Sequence, residues 1–210
     1  MELIESITKR GDCFWDVGAH QGYVTLLAGR CVGPEGMVYA FEPSPYSRGF
    51  LRKHVAWNAC SNVEILPVAL AARVGRVRLV ERGSSQTFHL AARGRTVEAA
   101  SLSALLDQGL RPPDVLKLDV EGAEGDILEA DAHRLPRHCR LLVSVHSHSN
   151  FERSMRALRG QGFAVLASQE VDFLRQNETG EWSTDAELFA VGPAGGGIPS
   201  TVASLPLFRG

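Results

Sequence analysis

The 210-residue chain predicts an α/β fold, a mostly parallel sheet with helices on both faces. Short apolar runs alternate with helical patterns along most of its length, the mark of successive strand–helix units. Polar residues then fall at the carboxyl ends of those runs, where an open parallel sheet binds its ligands. A hydrophobic content of 44% over this length suits one domain with a sizeable core.

"CFWDV" (13–17) is the first strand. "YVTLLAGRC" is its helix, closed near Gly33 and Pro34, and "MVYAFE" (37–42) is the second strand. "YSRGFLRKHVAWNA" (46–59) follows as a helix with apolar positions at Phe50, Leu51, Val55 and Trp57. "VEILPVAL" (63–70) is the third strand, broken or ended near Pro67. Residues 73–98 alternate apolar and polar side chains, which predicts exposed antiparallel strands on an insertion. "SLSALLDQG" is a short helix with Ser101 as N-cap. "DVLKLDVEG" and "AEGDILEADAHRL" give the fourth strand and its helix. "RLLVSVH" (140–146), "NFERSMRALRGQG" and "FAVLAS" supply the fifth strand, a helix and the sixth strand. "AELFAVG" (186–192) is the last strand, and 193–210 is too rich in Gly, Pro and Ser to join the core.

The formal net charge of -2 gives no general attraction to nucleic acid or to an anionic membrane. Lysine occurs only at Lys9, Lys53 and Lys117, so the positive charge is mostly surface guanidinium. Cys13, Cys31, Cys60 and Cys139 are scattered without a CxxC, and Cys13 and Cys139 sit in strand-like runs as buried thiols. No signal pattern opens the chain, and no apolar run approaches the ~18 residues of a membrane span. A cytoplasmic protein is expected, with self-association into a homo-oligomer left open.

Asp16 ends the first strand, Glu42 the second, Asp119 and Glu121 the fourth, and His146 the fifth. Five polar residues on one rim are hard to explain by packing. Gly18 and Gly22 allow a tight turn that brings backbone N–H groups and a helix N-terminus close to a ligand. The dinucleotide fingerprint G-x-G-x-x-G fails, because residues 20 and 21 are His and Gln. That counts against a nicotinamide oxidoreductase. Glu42 suits the two hydroxyls of a ribose, each charge-assisted bond contributing about 1.5–3 kcal/mol; capping the helix beyond Pro43 is its other reading.

Four phrases, "FWDVGAHQGYVT", "GMVYAFEPSPYSRGFLRKHVAWN", "VLKLDVEGAEGDIL" and "LLVSVHSH", resemble in this order the FkbM-type methyltransferases. The resemblance spans about residues 10 to 192. It implies a Rossmann-like class I methyltransferase fold, seven-stranded with an antiparallel last strand, and S-adenosyl-L-methionine (SAM) as cofactor. The methyltransferase domain would then be 1–192, with 193–210 a tail. By the same resemblance Asp16, Gly18, Ala19, His20 and Gly22 form the first SAM loop, with His20 where Asn is more usual. Glu42 with Pro43 binds ribose, Val68 and Ala69 flank adenine, and Asp119 and Glu121 face the methyl group and substrate. The family often carries Glu where this chain has Ser144, so that role is lost or has moved.

Lys117 on a central strand needs a partner, and alternation offers Asp119 or Glu121. For a hydroxyl acceptor a base is required, and Asp119 and His146 are the candidates, His146 as a neutral imidazole. "HSHSN" with Asp119 could ligate a metal if His146 and His148 shared a strand face; no Cys or HxxxH spacing supports this, and no metal is expected. The lid is expected from 73–98 and the N-terminal segment. The expected reaction is O-methylation of a small-molecule hydroxyl, on a sugar or natural-product intermediate. N-methylation of a small molecule or protein, and SAM binding without catalysis, stay open. A nucleic-acid acceptor is disfavoured, since no (N/D)-P-P-(Y/F) motif is present.

Overall fold

A run that is apolar at every position can be satisfied only inside a sheet covered on both faces. Such a run forms β1 (Cys13–Val17), buried throughout. The computed structural model describes residues 2–81, 88–90, 94–168, 175–176, 182–183, 186–205 and 208. α1 (Glu2–Ile7) precedes β1, and α2 (Tyr23–Val32), β2 (Met37–Phe41), α3 (Pro45–Trp57) and β3 (Val63–Leu66) follow. An insertion then carries β4 (Ala69–Leu70), β5 (Gly75–Glu81), β6 (Phe88–Leu90) and β7 (Arg95–Ala100). Next come α4 (Leu102–Asp107), β8 (Val115–Leu118), α5 (Glu124–Asp131), β9 (Arg140–Val145), α6 (His148–Gly160) and β10 (Ala164–Ala167). The chain continues through β11 (Arg175–Gln176), β12 (Trp182–Ser183), β13 (Ala186–Val191) and α7 (Ser200–Ala203).

The main sheet is seven-stranded in the order β10-β13-β9-β8-β1-β2-β3. β13 runs antiparallel to both its neighbours, β9 and β10, while the pairs from β9 to β3 are parallel. Edge strands β3 and β10 are half-exposed, as edges must be. Strand alternation splits β1 between two apolar layers. Cys13, Trp15 and Val17 face the layer of Ile127, Leu128 and Leu158; Phe14 faces that of Leu3, Ile4, Val32 and Phe189. Trp15 is fully buried against Phe41, ring centroids 5.1 Å apart, and its Nε1 donates to the Arg111 carbonyl at 3.0 Å. Truncating such an anchor typically costs about 3–5 kcal/mol.

Pro67 divides the expected third strand. β3 stops at Leu66, and Ala69–Leu70 cross to the second sheet, pairing in parallel with Ala99–Ala100. That four-stranded sheet, ordered β4-β7-β5-β6, includes the antiparallel pair the alternation of 73–98 predicts. Ser101 caps α4, its Oγ accepting from the Ala104 amide at 3.2 Å. Residues 193–210 were expected to stay outside the core, and the structure corrects this. Val202 and Phe208 are buried against the layer of Leu3, Ile4 and Val191. With Ile198 and Leu205 packed beside them, they anchor the segment despite its Gly/Pro/Ser background. The N-terminal helix packs on α2 and α7 in that same layer, away from the rim, so the lid expected of it is not there.

Candidate active site

The strand order reverses between β1 and β8. There the loops after β1, β2 and β8 enclose a cavity of about 510 Å³. Gly18, Ala19, His20, Glu42, Pro43, Val68, Ala69, Asp119 and Glu121 all line it, and Leu79 reaches it from the insertion. Two of the expected cofactor residues, Asp16 and Gly22, do not reach the surface of the cavity; they build the wall behind it.

The β1 loop is shaped by left-handed backbone at Gly18 (φ 77°), His20 (φ 51°) and Gly22 (φ 95°). A Cβ on Gly18 would stand 1.9 Å from the Asp119 carbonyl oxygen, so this glycine lets the β1 and β8 loops touch. Gly22 lies against Leu51 of α3, where a Cβ would come within 2.4 Å of Cδ1. For His20 the left-handed conformation costs on the order of 1–2 kcal/mol. Its amide is held by Glu42 Oε2 at 2.7 Å, and the His54 ring donates to the Gln21 carbonyl at 2.7 Å.

Glu42 is buried, with Oε1 accepting from the Ser44 amide at 2.7 Å. Each carboxylate oxygen keeps a further acceptor position for a ligand hydroxyl. Burial raises its pKa to about 7, although the Ser44 and His20 amides, Lys117 and Arg48 pull the other way. The capping alternative for Glu42 is filled by its neighbour: Ser44 is the N-cap of α3, with Pro45 in its first turn.

Asp16 is in register with Lys117 on β8. Its Oδ2 accepts from Thr25 Oγ1 at 2.6 Å, and its Oδ1 lies 3.5 Å from Lys117 Nζ. Lys117 also meets Asp119 Oδ2 at 3.2 Å and donates to the Gly18 carbonyl at 2.8 Å. Asp119 is thus a partner as alternation predicts, but Asp16 takes the place expected of Glu121. Burial works against the ammonium, yet Asp16 and Asp119 outweigh it and hold the lysine pKa above its ordinary value. His20 sits on the other side of this charge, its pKa lowered by burial and by Lys117.

The second cluster centres on His146. β8 ends at Leu118, so the strand period does not extend to Glu121; a left-handed turn there (φ 58°) directs it to His146 instead. The ring Nδ1 donates to Glu124 Oε1 at 3.0 Å, and Nε2 lies 3.6 Å from both Asp119 Oδ1 and Glu121 Oε2. Burial lowers the His146 pKa, but Glu124, Glu121 and Asp119 together raise it to about 9. The expectation of a neutral His146 ready to accept a proton is therefore corrected: with this surrounding it is imidazolium at neutral pH. His148 begins α6 rather than extending β9, so it does not share a strand face with His146.

Two functional positions escaped the sequence reading. Glu124 is fully buried at the start of α5, where its carboxylate also accepts the Val120 amide at 3.2 Å and the Gly122 amide at 3.0 Å. Glu187 on β13 stands opposite Ser144, whose Oγ donates to Glu187 Oε1 at 2.8 Å. Glu187 thus brings a carboxylate beside Ser144. Only the antiparallel register of β13 could have signalled it.

The fold and the glycine-turned crevice define a class I SAM-dependent methyltransferase. The chain belongs to the FkbM methyltransferases, since the Methyltransferase FkbM domain matches residues 16–177. It is 28% identical over 207 residues to Methyltransferase sdnD of Sordaria araneosa, covering 81% of this chain and 76% of that one. Among solved structures it is similar to a putative rRNA-methylase from Clostridium thermocellum (TM-score 0.62, 13% identity, 93% of this chain and 94% of that one). It is also similar to a SAM-dependent O-methyltransferase from Thermotoga maritima (TM-score 0.56, 16% identity, 91% and 63%). A third is Aeropyrum pernix fibrillarin with bound SAM (TM-score 0.55, 18% identity, 87% and 67%). At these identities the structural likenesses establish the fold alone. None of the helices among the described residues is long and apolar enough to cross a membrane.

Proposed function

We propose that this enzyme transfers the methyl group of SAM to a hydroxyl of a small molecule, such as a sugar or a natural-product intermediate. The observation that carries the reading is a cavity with two chemically different ends. Glu42 and the β1 loop are at one, and the carboxylates around His146 are at the other. A volume of about 510 Å³ lies in the range that suits a cofactor and a small acceptor.

In this reading Glu42 accepts the ribose hydroxyls, Val68 and Ala69 flank the adenine, and Gly18 and Ala19 let the loop approach the methionine part of SAM. Asp16 and Gly22 act from behind, through Lys117 and Leu51. The sulfonium is a good leaving group, so placing the acceptor oxygen in line with the methyl carbon is the larger lever, of the order of 7–11 kcal/mol. Proton removal adds about 10²–10⁴-fold. Asp119 is the acceptor for that proton, because it lines the cavity beside the Lys117 ammonium, whereas His146 is already protonated. A cytoplasmic location accords with the four free cysteines.

Methyl transfer from radiolabelled SAM to a panel of matched alcohols and amines tests the acceptor. Label in the alcohols, reduced at least about 100-fold in Asp119→Asn, is expected. Label confined to amines would replace the hydroxyl reading with N-methylation, which the excess of carboxylates would favour through attraction of a cationic amine. Tight SAM binding without transfer to any acceptor would favour the non-catalytic alternative. The proximity of Glu187 to Ser144 argues against that outcome.

A further inference from the structure

We propose that Arg48 is a positioning residue for the cofactor: from α3 it holds the end of β2 so that the Glu42 carboxylate faces the cavity. The proposal rests on the reading of Glu42 as the acid that binds ribose. Arg48 does not line the cavity itself, whereas Glu42 and Pro43 do. It works from behind them. Its Nη1 donates to the Glu42 carbonyl at 2.9 Å and to the Pro43 carbonyl at 3.0 Å.

The local sequence explains why those two carbonyls need a donor from outside. The ladder between β2 and β3 ends with Phe41 opposite Leu66, and the Glu42 amide makes a last bond to the Leu66 carbonyl at 3.1 Å. Beyond it, Pro43 and Pro45 have no N–H, so the turn is short of donors of its own. Backbone polar groups left without a partner away from water are costly. α3 begins at once, and the Arg48 amide bonds the Ser44 carbonyl at 2.9 Å in its first turn. Helical side chains lean toward the helix N-terminus, which is how Arg48 reaches back over five and six residues.

Glu42 is thereby fixed on all sides. Its amide is on β3, its carbonyl is on Arg48, and its two carboxylate oxygens accept from the His20 and Ser44 amides, each at 2.7 Å. Of these four partners Arg48 alone acts through its side chain. It is therefore the one whose contribution substitution can remove while the backbone partners stay in place.

A second observation separates this contact from a simple staple of the fold. For Arg48 itself the site is a poor one. Its Nε is buried without a hydrogen-bond partner among the described residues. Burial lowers the guanidinium pKa, Arg52 one turn further along α3 adds to that, and only Glu42 acts the other way. For Glu42 the balance is reversed. Burial pushes its carboxyl up to about 7, and the Ser44 and His20 amides, Lys117 from β8 and Arg48 from α3 all favour the carboxylate. A cost borne by one residue to the advantage of another is the pattern expected where the residue serves a site rather than the fold.

Calorimetric titration with S-adenosylhomocysteine, which keeps the ribose of SAM and lacks the sulfonium charge, tests this over about pH 5.5 to 9. The wild type is compared with Arg48→Met and Arg48→Lys, each verified as folded by circular dichroism. In Arg48→Met the affinity at high pH should fall at least about 5-fold. The midpoint of its pH profile should also rise above that of the wild type by at least about half a pH unit, since a cation beside the carboxylate is gone. Arg48→Lys keeps the charge without the planar fork, so its midpoint should return to the wild-type position while its affinity recovers only in part. Wild-type behaviour in Arg48→Met, or weaker binding there with an unmoved midpoint, would overturn the proposal. NMR titration of the Glu42 carboxyl in the ligand-free protein keeps the two readings apart. A Glu42→Gln variant that binds as tightly as the wild type would remove the ribose reading, while a Glu42 titration displaced by Arg48→Met would still uphold the hold of Arg48 on that carboxylate.

Discussion

The rim over β1 and β2 and the rim over β8 and β9 are built by different means. The first relies on backbone: left-handed turns at Gly18, His20 and Gly22, and amides of His20 and Ser44 gathered on one carboxylate. The second relies on side chains drawn from separate elements, with Asp119 and Glu121 after β8, Glu124 from α5, His146 after β9 and Glu187 from β13. A backbone cradle suits a constant cofactor, whose groups sit in the same place in every turnover. A side-chain cluster can be changed one residue at a time, because its members come from separate elements. Lys117 is the seam between the two rims, reaching Asp16 and the Gly18 carbonyl on one side and Asp119 on the other.

Breaking the seam should have the largest effect. Lys117→Met leaves Asp16 and Asp119 without their shared cation, and removal of one partner from a buried charge cluster typically costs about 3–5 kcal/mol. Urea denaturation should show the loss, and a change under about 1 kcal/mol would mean that the halves are not coupled through this lysine. Gly18→Ala should cost about 2–4 kcal/mol, combining the left-handed backbone with a clash against the Asp119 carbonyl. It should abolish SAM binding even where the fold survives.

The side-chain rim responds to a different change. Glu124→Gln removes the largest favourable partner of His146, so the imidazole pKa should fall from about 9 toward its ordinary value of 6.5, read by NMR titration. A histidine pKa raised by folding stabilises most below its unfolded value. In the wild type, that contribution is therefore full below about 6.5 and is lost as the pH rises through about 9. The backbone rim has the opposite dependence for binding. Glu42 protonates near 7, and only its carboxylate accepts two hydroxyls, so SAM affinity should rise as the pH increases through about 7. Across about pH 6 to 8 the gain should be near tenfold; a flat profile would place the ribose elsewhere.

The two rims also differ in how far the sequence revealed them. Gly18, Gly22 and Glu42 are local signals, because a strand end, a turn glycine and an acid at the next strand end have meaning before the chain is folded. The His146 cluster is not local. Glu121 reaches it through a turn that begins after the strand period has ended, and Glu187 arrives by the antiparallel return of β13. Even the charge on His146 depends on three carboxylates whose convergence only the folded chain displays. The C-terminal segment makes the same point in the core. Its composition argued for a tail, yet Ile198, Val202, Leu205 and Phe208 pack on the core layer, and spacing to a distant surface is invisible in composition.

The central claim is that the β1–β2 rim holds the ribose of SAM through Glu42. Calorimetric titration of SAM into the wild type and Glu42→Gln tests it most directly, because Gln keeps an acceptor for the loop but loses the charge. The account predicts binding to the wild type and affinity lower by about 10–100-fold in the variant, the worth of one to two charge-assisted hydrogen bonds. Equal affinity in the two proteins would contradict it.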